Sequence, residues 1–234
     1  EPRDWDSTNT SANFGGIYHT INPDDGGTID LFGLVLADSQ NTVTGGNGVK
    51  GDSDVYTIGG RYKDKSGNTD YEVWGAGQLG EYADDTIQAY AWTVAAGQTF
   101  PDVPTSPRIG VAVDYASGDS DPTDSKHQTF NQLYPLGHAY FGYLDLVGRQ
   151  NILDMQANIS GKLDERTKAG AAFHVFKLAQ SEDSLYNAGG GAGFTDPSGS
   201  ASKDVGTELD LTVSYNPETL GPHSNVLVGY SKFW

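Results

Sequence analysis

The sequence predicts an all-β protein, an antiparallel meander of about ten strands of the kind that forms a transmembrane β-barrel. Several long segments alternate apolar and polar side chains with a period of two, which is the pattern of a half-buried strand. Stretches rich in Gly, Asp, Asn and Pro separate these segments and predict turns. The composition, with 31 Gly, 13 Tyr, 9 Phe and 4 Trp, favours strands and tight turns over helices.

The clearest predicted strand is Asp204–Tyr215. Its odd-numbered residues, from Val205 to Tyr215, are mostly apolar, and its even-numbered residues are polar or glycine. The same division recurs in Asn151–Leu163 and in Arg108–Tyr115. Since successive side chains of a strand point to opposite faces, each of these segments has one apolar and one polar face.

Seven further segments have a less regular alternation and complete the meander. They are Phe14–Ile21, Ile29–Ala37, Val55–Lys63, Tyr71–Tyr82, Ile87–Ala96, Lys168–Leu178 and Asn225–Phe233. The predicted turns between strands are Asn22–Gly27, Gly45–Asp54, Lys65–Thr69, Ala83–Asp85, Ala116–Asp124, Asn187–Ser202 and Asn216–Ser224. Because no linker divides the chain, we expect residues 1–234 to form a single domain.

Two architectures fit this alternation. Many of the segments exceed the mean strand length of globular sheets, about 5–6 residues, and suit a tilted strand that crosses a bilayer. A secreted β-sandwich also has half-buried strands, so periodicity alone leaves it open. Tyrosines near strand ends, such as Tyr56, Tyr62 and Tyr230, favour the barrel, because amphipathic rings settle at a membrane interface.

Composition excludes several classes of protein. No apolar run approaches the roughly 18 residues of a membrane-spanning helix. The chain has no cysteine, so it forms neither a disulfide nor a thiolate metal site. The net charge is −17, with 14 basic and 31 acidic residues, so nucleic acid is not an expected partner. The absence of an initiator Met and of a signal peptide at Glu1 indicates a processed chain or a fragment.

A series of motifs resembles the alginate export family of outer-membrane β-barrels. The core of the resemblance lies in Asp114–Asp119 (DYASGD), Thr129–Pro135 (TFNQLYP), His138–Asp145 (HAYFGYLD) and Asn151. Other motifs similar to the family's occur in the same order before and after it: Arg3–Trp5, Tyr71–Gly80, Asp183–Gly190, Val205–Asp210 and Gly229–Phe233.

The resemblance implies a barrel with a polar lumen in the outer membrane of a Gram-negative-type bacterium, in contact with outer-membrane lipid and lipopolysaccharide. The best-known members of the family pass an anionic polyuronate outward. Members are about twice as long as this chain and have about eighteen strands. We therefore expect the barrel to be incomplete at the amino terminus and at the carboxyl terminus, and part of a larger one.

The polar strand faces supply a candidate pore lining: Arg61, Glu72, Gln78, Arg108, Asp114, Asp154, Gln156, Lys162, His174, Glu208 and Asp210. The inward charges, including Lys63, are nearly balanced, which does not favour a polyanion. The sequence therefore predicts a porin-like channel for passive passage of small polar or sugar-like solutes, with no cofactor. The alternative is a secreted β-sandwich that binds carbohydrate or has a structural role at the surface.

Two loop clusters carry further hypotheses. The carboxylates of Asp119, Asp121 and Asp124 are separated by other residues, as in a loop that binds Ca²⁺; the alternative is a plain solvated loop. The second cluster is predicted to be a buried, hydrogen-bonded constriction or loop anchor, with strand-end aromatics as the alternative; its members are His138, Tyr140, Tyr143 and Asp145.

Enzymatic activity is not expected. Glu208 and Asp210 are spaced as a glycosidase pair could be, but two acids on a polar strand face are commonplace. The sequence has no nucleophile elbow and no phosphate-binding loop. The five histidines lack the spacing of metal ligands.

Overall fold

A computed structural model describes residues 10–24, 26–136, 138–196, 198–217, 219 and 224–234. The motif Arg3–Trp5 and His223 lie outside these residues. The described part is all β and contains no α-helix. Its long strands are β1 (Ala12–Ile21), β2 (Thr28–Thr44), β3 (Lys50–Ser66), β4 (Thr69–Tyr82), β5 (Asp85–Thr99), β6 (Arg108–Ala116), β8 (Ile152–Lys162), β9 (Thr167–Leu178), β12 (Asp204–Tyr215) and β13 (Val226–Phe233). The short ones are β7 (Lys126–His127), β10 (Leu185–Tyr186) and β11 (Ala192–Phe194).

All ten predicted strands are confirmed, and the main difference lies between β2 and β3. The prediction ended the first of these at Ala37 and placed a turn over Gly45–Asp54, whereas β2 runs on to Thr44 and β3 starts at Lys50. The two strands continue to pair beyond a register shift, with Val43 opposite Gly51. This extension has no regular apolar alternation, so periodicity could not indicate it.

The long strands form one antiparallel sheet in sequence order, β1-β2-β3-β4-β5-β6-β8-β9-β12-β13, while β7 pairs in parallel with β5. This is the predicted meander. Within the residues described, β1 and β13 are the edge strands and do not pair with each other. No helix in this part of the chain is long and apolar enough to span a bilayer.

The two ends of the sheet differ in the length of their connections. Short turns join β3 to β4 and β8 to β9 at one end. At the other end, the connections of β2 to β3 and of β4 to β5 are also short, but two long loops lie beside them: residues 117–151, called here the inserted loop, and residues 179–203, called the companion loop. Outer-membrane barrels have the same asymmetry, with short periplasmic turns and long extracellular loops.

The two faces of the sheet differ in what covers them. The outer face is apolar and uncovered by other described residues, with Ile17, Ile58, Leu79 and Val111 exposed by 78%, 72%, 63% and 58%. A secreted sandwich would bury these side chains against a second sheet, so that alternative is wrong for this fold. A barrel presents the same band to lipid.

The core lies on the opposite, inner face. Phe130, Phe141 and Val147 of the inserted loop are buried in one cluster with apolar side chains of the strands, among them Ile87 and Phe176. The inserted loop therefore returns across the inner face instead of extending away from the sheet.

Candidate solute path and the inserted loop

All eleven candidate pore-lining residues lie on the inner face, as the strand register shows. Arg61 pairs with Trp74, Asp114 with Asp154, and His174 with both Gln156 and Glu208. Six of the eleven, however, are buried: Gln78, Asp114, Asp154, His174, Glu208 and Asp210. The expectation that these six line open space is therefore corrected. The others, Arg61, Glu72, Arg108, Gln156 and Lys162, keep partial or full exposure.

Gln78 holds the inserted loop through its side-chain amide. Its Nε2 donates to the backbone oxygen of Asn131 at 2.7 Å, and its Oε1 accepts the backbone N–H of Asn131 at 2.8 Å. A third bond, from Nε2 to Thr57 Oγ1 at 3.1 Å, fixes the amide to β3. The Gln78 amide thus pairs with the loop backbone as the backbone of a neighbouring strand would.

Arg149 is the main charged anchor of the inserted loop. Its Nη2 donates to Asp114 Oδ1 at 2.8 Å, with the two side chains 16% and 7% exposed. Its guanidinium carbon lies 4.8, 5.0 and 5.2 Å from the ring centres of Trp74, Tyr140 and Phe141. An ion pair between such buried groups, with aromatic rings around the cation, ties the loop to β4 and β6.

Two carboxylates of β12 hold a second part of the inserted loop. Glu208 Oε1 accepts the backbone N–H of Leu144 at 3.0 Å, and Asp210 Oδ2 accepts that of Tyr143 at 3.3 Å. The adjacent Gly142 has φ +84°, and a Cβ there would meet the Glu208 carboxylate. Among the described residues, Glu208 Oε2 and Asp210 Oδ1 have no hydrogen-bond partner.

A histidine lies next to these carboxylates. His174 Nδ1 is 2.8 Å from Asp154 Oδ2, and its Nε2 is 3.1 Å from Gln156 Nε2 and 4.0 Å from Asp210 Oδ2. His174 therefore joins polar groups of β8 and β12 beneath the loop, while Asp154 Oδ1 has no hydrogen-bond partner among the described residues.

The predicted cluster of His138, Tyr140, Tyr143 and Asp145 lies in the inserted loop, away from any strand end. The His138 backbone N–H donates to Asp145 Oδ1 at 2.9 Å, and His138 Nδ1 is 3.1 Å from the Tyr143 oxygen. The cluster is hydrogen-bonded, but its expected burial is wrong, because the His138 side chain is 62% exposed. Its role as a constriction stays a prediction.

Asp183 joins the inserted loop to the companion loop. It accepts hydrogen bonds from the Asp119 backbone N–H at 2.9 Å, from Thr129 Oγ1 at 2.6 Å and from the Tyr186 hydroxyl at 2.8 Å. Burial raises the pKa of Tyr186 above its ordinary value, and the charge of Asp183 acts in the same direction. The two loops therefore form one packed unit.

The acidic segment predicted to bind Ca²⁺ caps its own turns. Asp119 accepts the backbone N–H of Asp121, Asp121 that of Thr123, and Asp124 that of Lys126. Burial raises the pKa of Asp119. No three His, Cys, Asp or Glu side chains of the described residues are grouped to hold a metal ion. Calcium binding stays a prediction, to be tested by calorimetric titration with Ca²⁺.

Two cavities on the inner face contain charged side chains of the candidate pore lining. The first, about 420 Å³, lies between the inserted loop and strands β1–β5, where aromatic side chains, Arg61, Glu72 and Arg149 line it. The second, about 460 Å³, lies towards the short-turn end and is lined by Lys63, Lys65, Asp70, Glu72 and Arg108, among others. Glu72 lines both cavities, so its side chain lies at the boundary of each.

The arginines along these cavities are ion-paired. Arg61 Nη2 lies 2.6 Å from Glu72 Oε2, and its Nη1 lies 4.0 Å from Asp30 Oδ2. Arg108 donates through two nitrogens to the carboxylate of Asp70. With Arg149 bound to Asp114, each arginine of this wall already faces a carboxylate.

An antiparallel meander with an uncovered apolar outer face and a polar inner face covered by its own loops defines a β-barrel class of membrane protein. The family model described as "Alginate export" matches residues 1–234. The chain belongs to the alginate export family, which groups outer-membrane channels for polysaccharide, and the resemblance found in the sequence is confirmed. A comparison with curated proteins gives no match.

Proposed function

We propose that this chain forms a porin-like path for passive passage of small polar or sugar-like solutes across the outer membrane of a Gram-negative bacterium. The observation that carries the proposal is the pair of cavities on the inner face that are both lined by Glu72. Polar side chains on that wall can replace part of a solute's hydration as it moves. Passive movement of this kind requires no cofactor.

The charges of the wall favour neutral or mixed solutes over a polyuronate. The guanidinium groups of Arg61, Arg108 and Arg149 are each neutralised by a carboxylate, so a polyanion gains little from them. The net charge of −17 adds long-range repulsion, which salt screens beyond about 8–10 Å.

The outer face indicates the surroundings of the channel. Its exposed apolar side chains suit the acyl chains of outer-membrane lipid, and the long-loop end would lie among lipopolysaccharide head groups. Nucleic acid does not fit as a partner, because its phosphates would meet an acidic protein.

Conductance in planar bilayers tests the proposal. The purified protein should produce discrete current steps, and Glu72→Gln should shift selectivity towards anions because Arg61 then loses its nearer carboxylate and keeps only Asp30 at 4.0 Å. Glu81→Gln is the matched control, since Glu81 lies on the outer face of the same strand β4. Absence of current steps, or an equal shift in both variants, would contradict the proposed path.

A further inference from the structure

The first cavity contains a row of three nearly parallel aromatic rings, Tyr18, Phe32 and Trp74, called here the aromatic ladder. Tyr18 and Phe32 have centroids 5.9 Å apart and planes inclined by 4°, and Phe32 and Trp74 are 6.4 Å apart and inclined by 19°. All three side chains line the cavity. The ladder therefore extends across β1, β2 and β4 along one wall of the cavity.

The surrounding residues hold the ladder in place. Gly59 of β3 leaves the space that the Phe32 ring occupies, because a Cβ at Gly59 would collide with that ring. The ring planes of Phe130 and Trp74 are at 90°, and the guanidinium carbon of Arg149 lies over the Trp74 ring, 4.8 Å from its centre. The accessible end of the ladder is therefore Tyr18. Tyr18, at the open side, is 60% exposed.

We propose that this cavity is a saccharide subsite in which a neutral pyranose ring stacks on the aromatic ladder. This proposal rests on the proposed function and names the class of solute that binds. The C–H faces of a pyranose are apolar and pack on aromatic faces, while its hydroxyl groups need polar partners at the ring edge. Arg61, Glu72 and Gln132 line the same cavity and supply such partners.

The size and charge of the cavity define the ligand further. Its volume of about 420 Å³ lies within the range of about 300–1,000 Å³ of small-ligand sites, which are mostly apolar with a few polar groups. A uronate carboxylate would have to displace Glu72 from Arg61 or Asp114 from Arg149. A neutral sugar accepts from the guanidinium groups and donates to the carboxylates without breaking either ion pair.

Calorimetric titration of the detergent-solubilised protein with maltotriose and with a uronate trisaccharide tests the subsite. Maltotriose should bind more tightly than the uronate. Tyr18→Ala should weaken maltotriose binding about three- to tenfold, whereas Tyr18→Phe should retain it because the ring remains. Tyr90→Ala is the matched control, because Tyr90 is similarly exposed, at 51%, on the outer face.

Three outcomes would overturn the subsite. They are the absence of binding by either sugar, tighter binding of the uronate, and an equal loss of affinity in Tyr18→Ala and Tyr90→Ala. Bilayer recordings with added maltotriose separate this inference from the proposed function. If current steps occur but the sugar neither interrupts them nor binds in calorimetry, the subsite alone is refuted. If the sugar binds in calorimetry but no current steps occur, the channel alone is refuted.

Discussion

Arg149→Ala tests whether the inserted loop is held down by a single cation. The substitution removes the 2.8 Å bond to Asp114 and the contacts of the guanidinium with Trp74, Tyr140 and Phe141. Asp114 would then remain buried, with the Thr93 hydroxyl as its other hydrogen-bond donor. We expect the loop to open more often while the sheet persists, because the strand pairing is untouched.

The expected magnitude follows from these contacts. Breaking a buried ion pair costs about 3–5 kcal/mol, and cation–π contacts contribute about 0.5–1 kcal/mol each at accessible sites. Since the Arg149 side chain is 16% exposed, the cost should lie below the sum of these values, and we expect Arg149→Ala to reduce the free energy of loop opening by about 4 kcal/mol. This corresponds to a roughly thousandfold larger population of the open loop. Arg149→Lys should give an intermediate effect, because an ammonium keeps the charge but not the planar fork.

Amide hydrogen exchange measures this opening directly. The backbone N–H groups of Asn131 and Leu144, which are bonded to the inner wall, should exchange faster in Arg149→Ala by about the same factor. The control is Lys177→Ala, which removes an exposed pair with Asp204 at 2.7 Å and should cost less than about 1 kcal/mol. Equal exchange in the two variants would refute the anchoring role of Arg149.

Two further predictions concern the loops. Glu208→Ala should leave the Leu144 N–H without its acceptor and destabilise that part of the inserted loop by about 1–3 kcal/mol. The control is Glu165→Ala, in an exposed turn, which should leave the loop unchanged. Amide hydrogen exchange at Leu144 distinguishes the two variants, and equal exchange rates would contradict the role of Glu208. Burial, followed by the negative charge of Asp183, raises the pKa of Tyr186. Above about pH 10 the unfolded chain therefore binds fewer protons than the folded chain, so the free energy of unfolding falls as the pH rises. Tyr186→Phe should flatten that decline in unfolding transitions recorded at increasing alkaline pH, and an unchanged slope would contradict the assignment.

The strand pattern was predictable because each face of the sheet meets one medium along its whole length. In Asp204–Tyr215, for example, the odd-numbered residues are mostly apolar, and the register places those from Leu209 to Tyr215 on the outer face. Val205 is the exception, because it lies at a register shift and packs against the core on the inner face. The prediction was weakest where both faces meet similar surroundings, as in the extension of β2 beyond Ala37. The short strand β7 has too few residues for any period to be detectable.

The surroundings of the polar face were not predictable. A glutamine or carboxylate that faces water and one that binds a loop backbone occupy the same position in an alternating pattern. The pattern therefore predicts Gln78 and Glu208 as pore-lining, whereas both are buried under the inserted loop. Arg149 was missed because it lies in a loop without periodicity, and its partner Asp114 is 35 positions away along the chain.

The inner wall is divided according to how its polar groups are satisfied. Towards the short-turn end, Arg61 pairs with Glu72 and Arg108 with Asp70, so neighbouring strands satisfy each other and need no loop. Towards the long-loop end, Gln78 and Glu208 depend on backbone groups of the inserted loop. Since a buried polar group without a partner is costly, the loop covers the second region and leaves the first open. The second cavity thus lies where the strands carry complementary charges, whereas the first lies at the border between that region and the inserted loop.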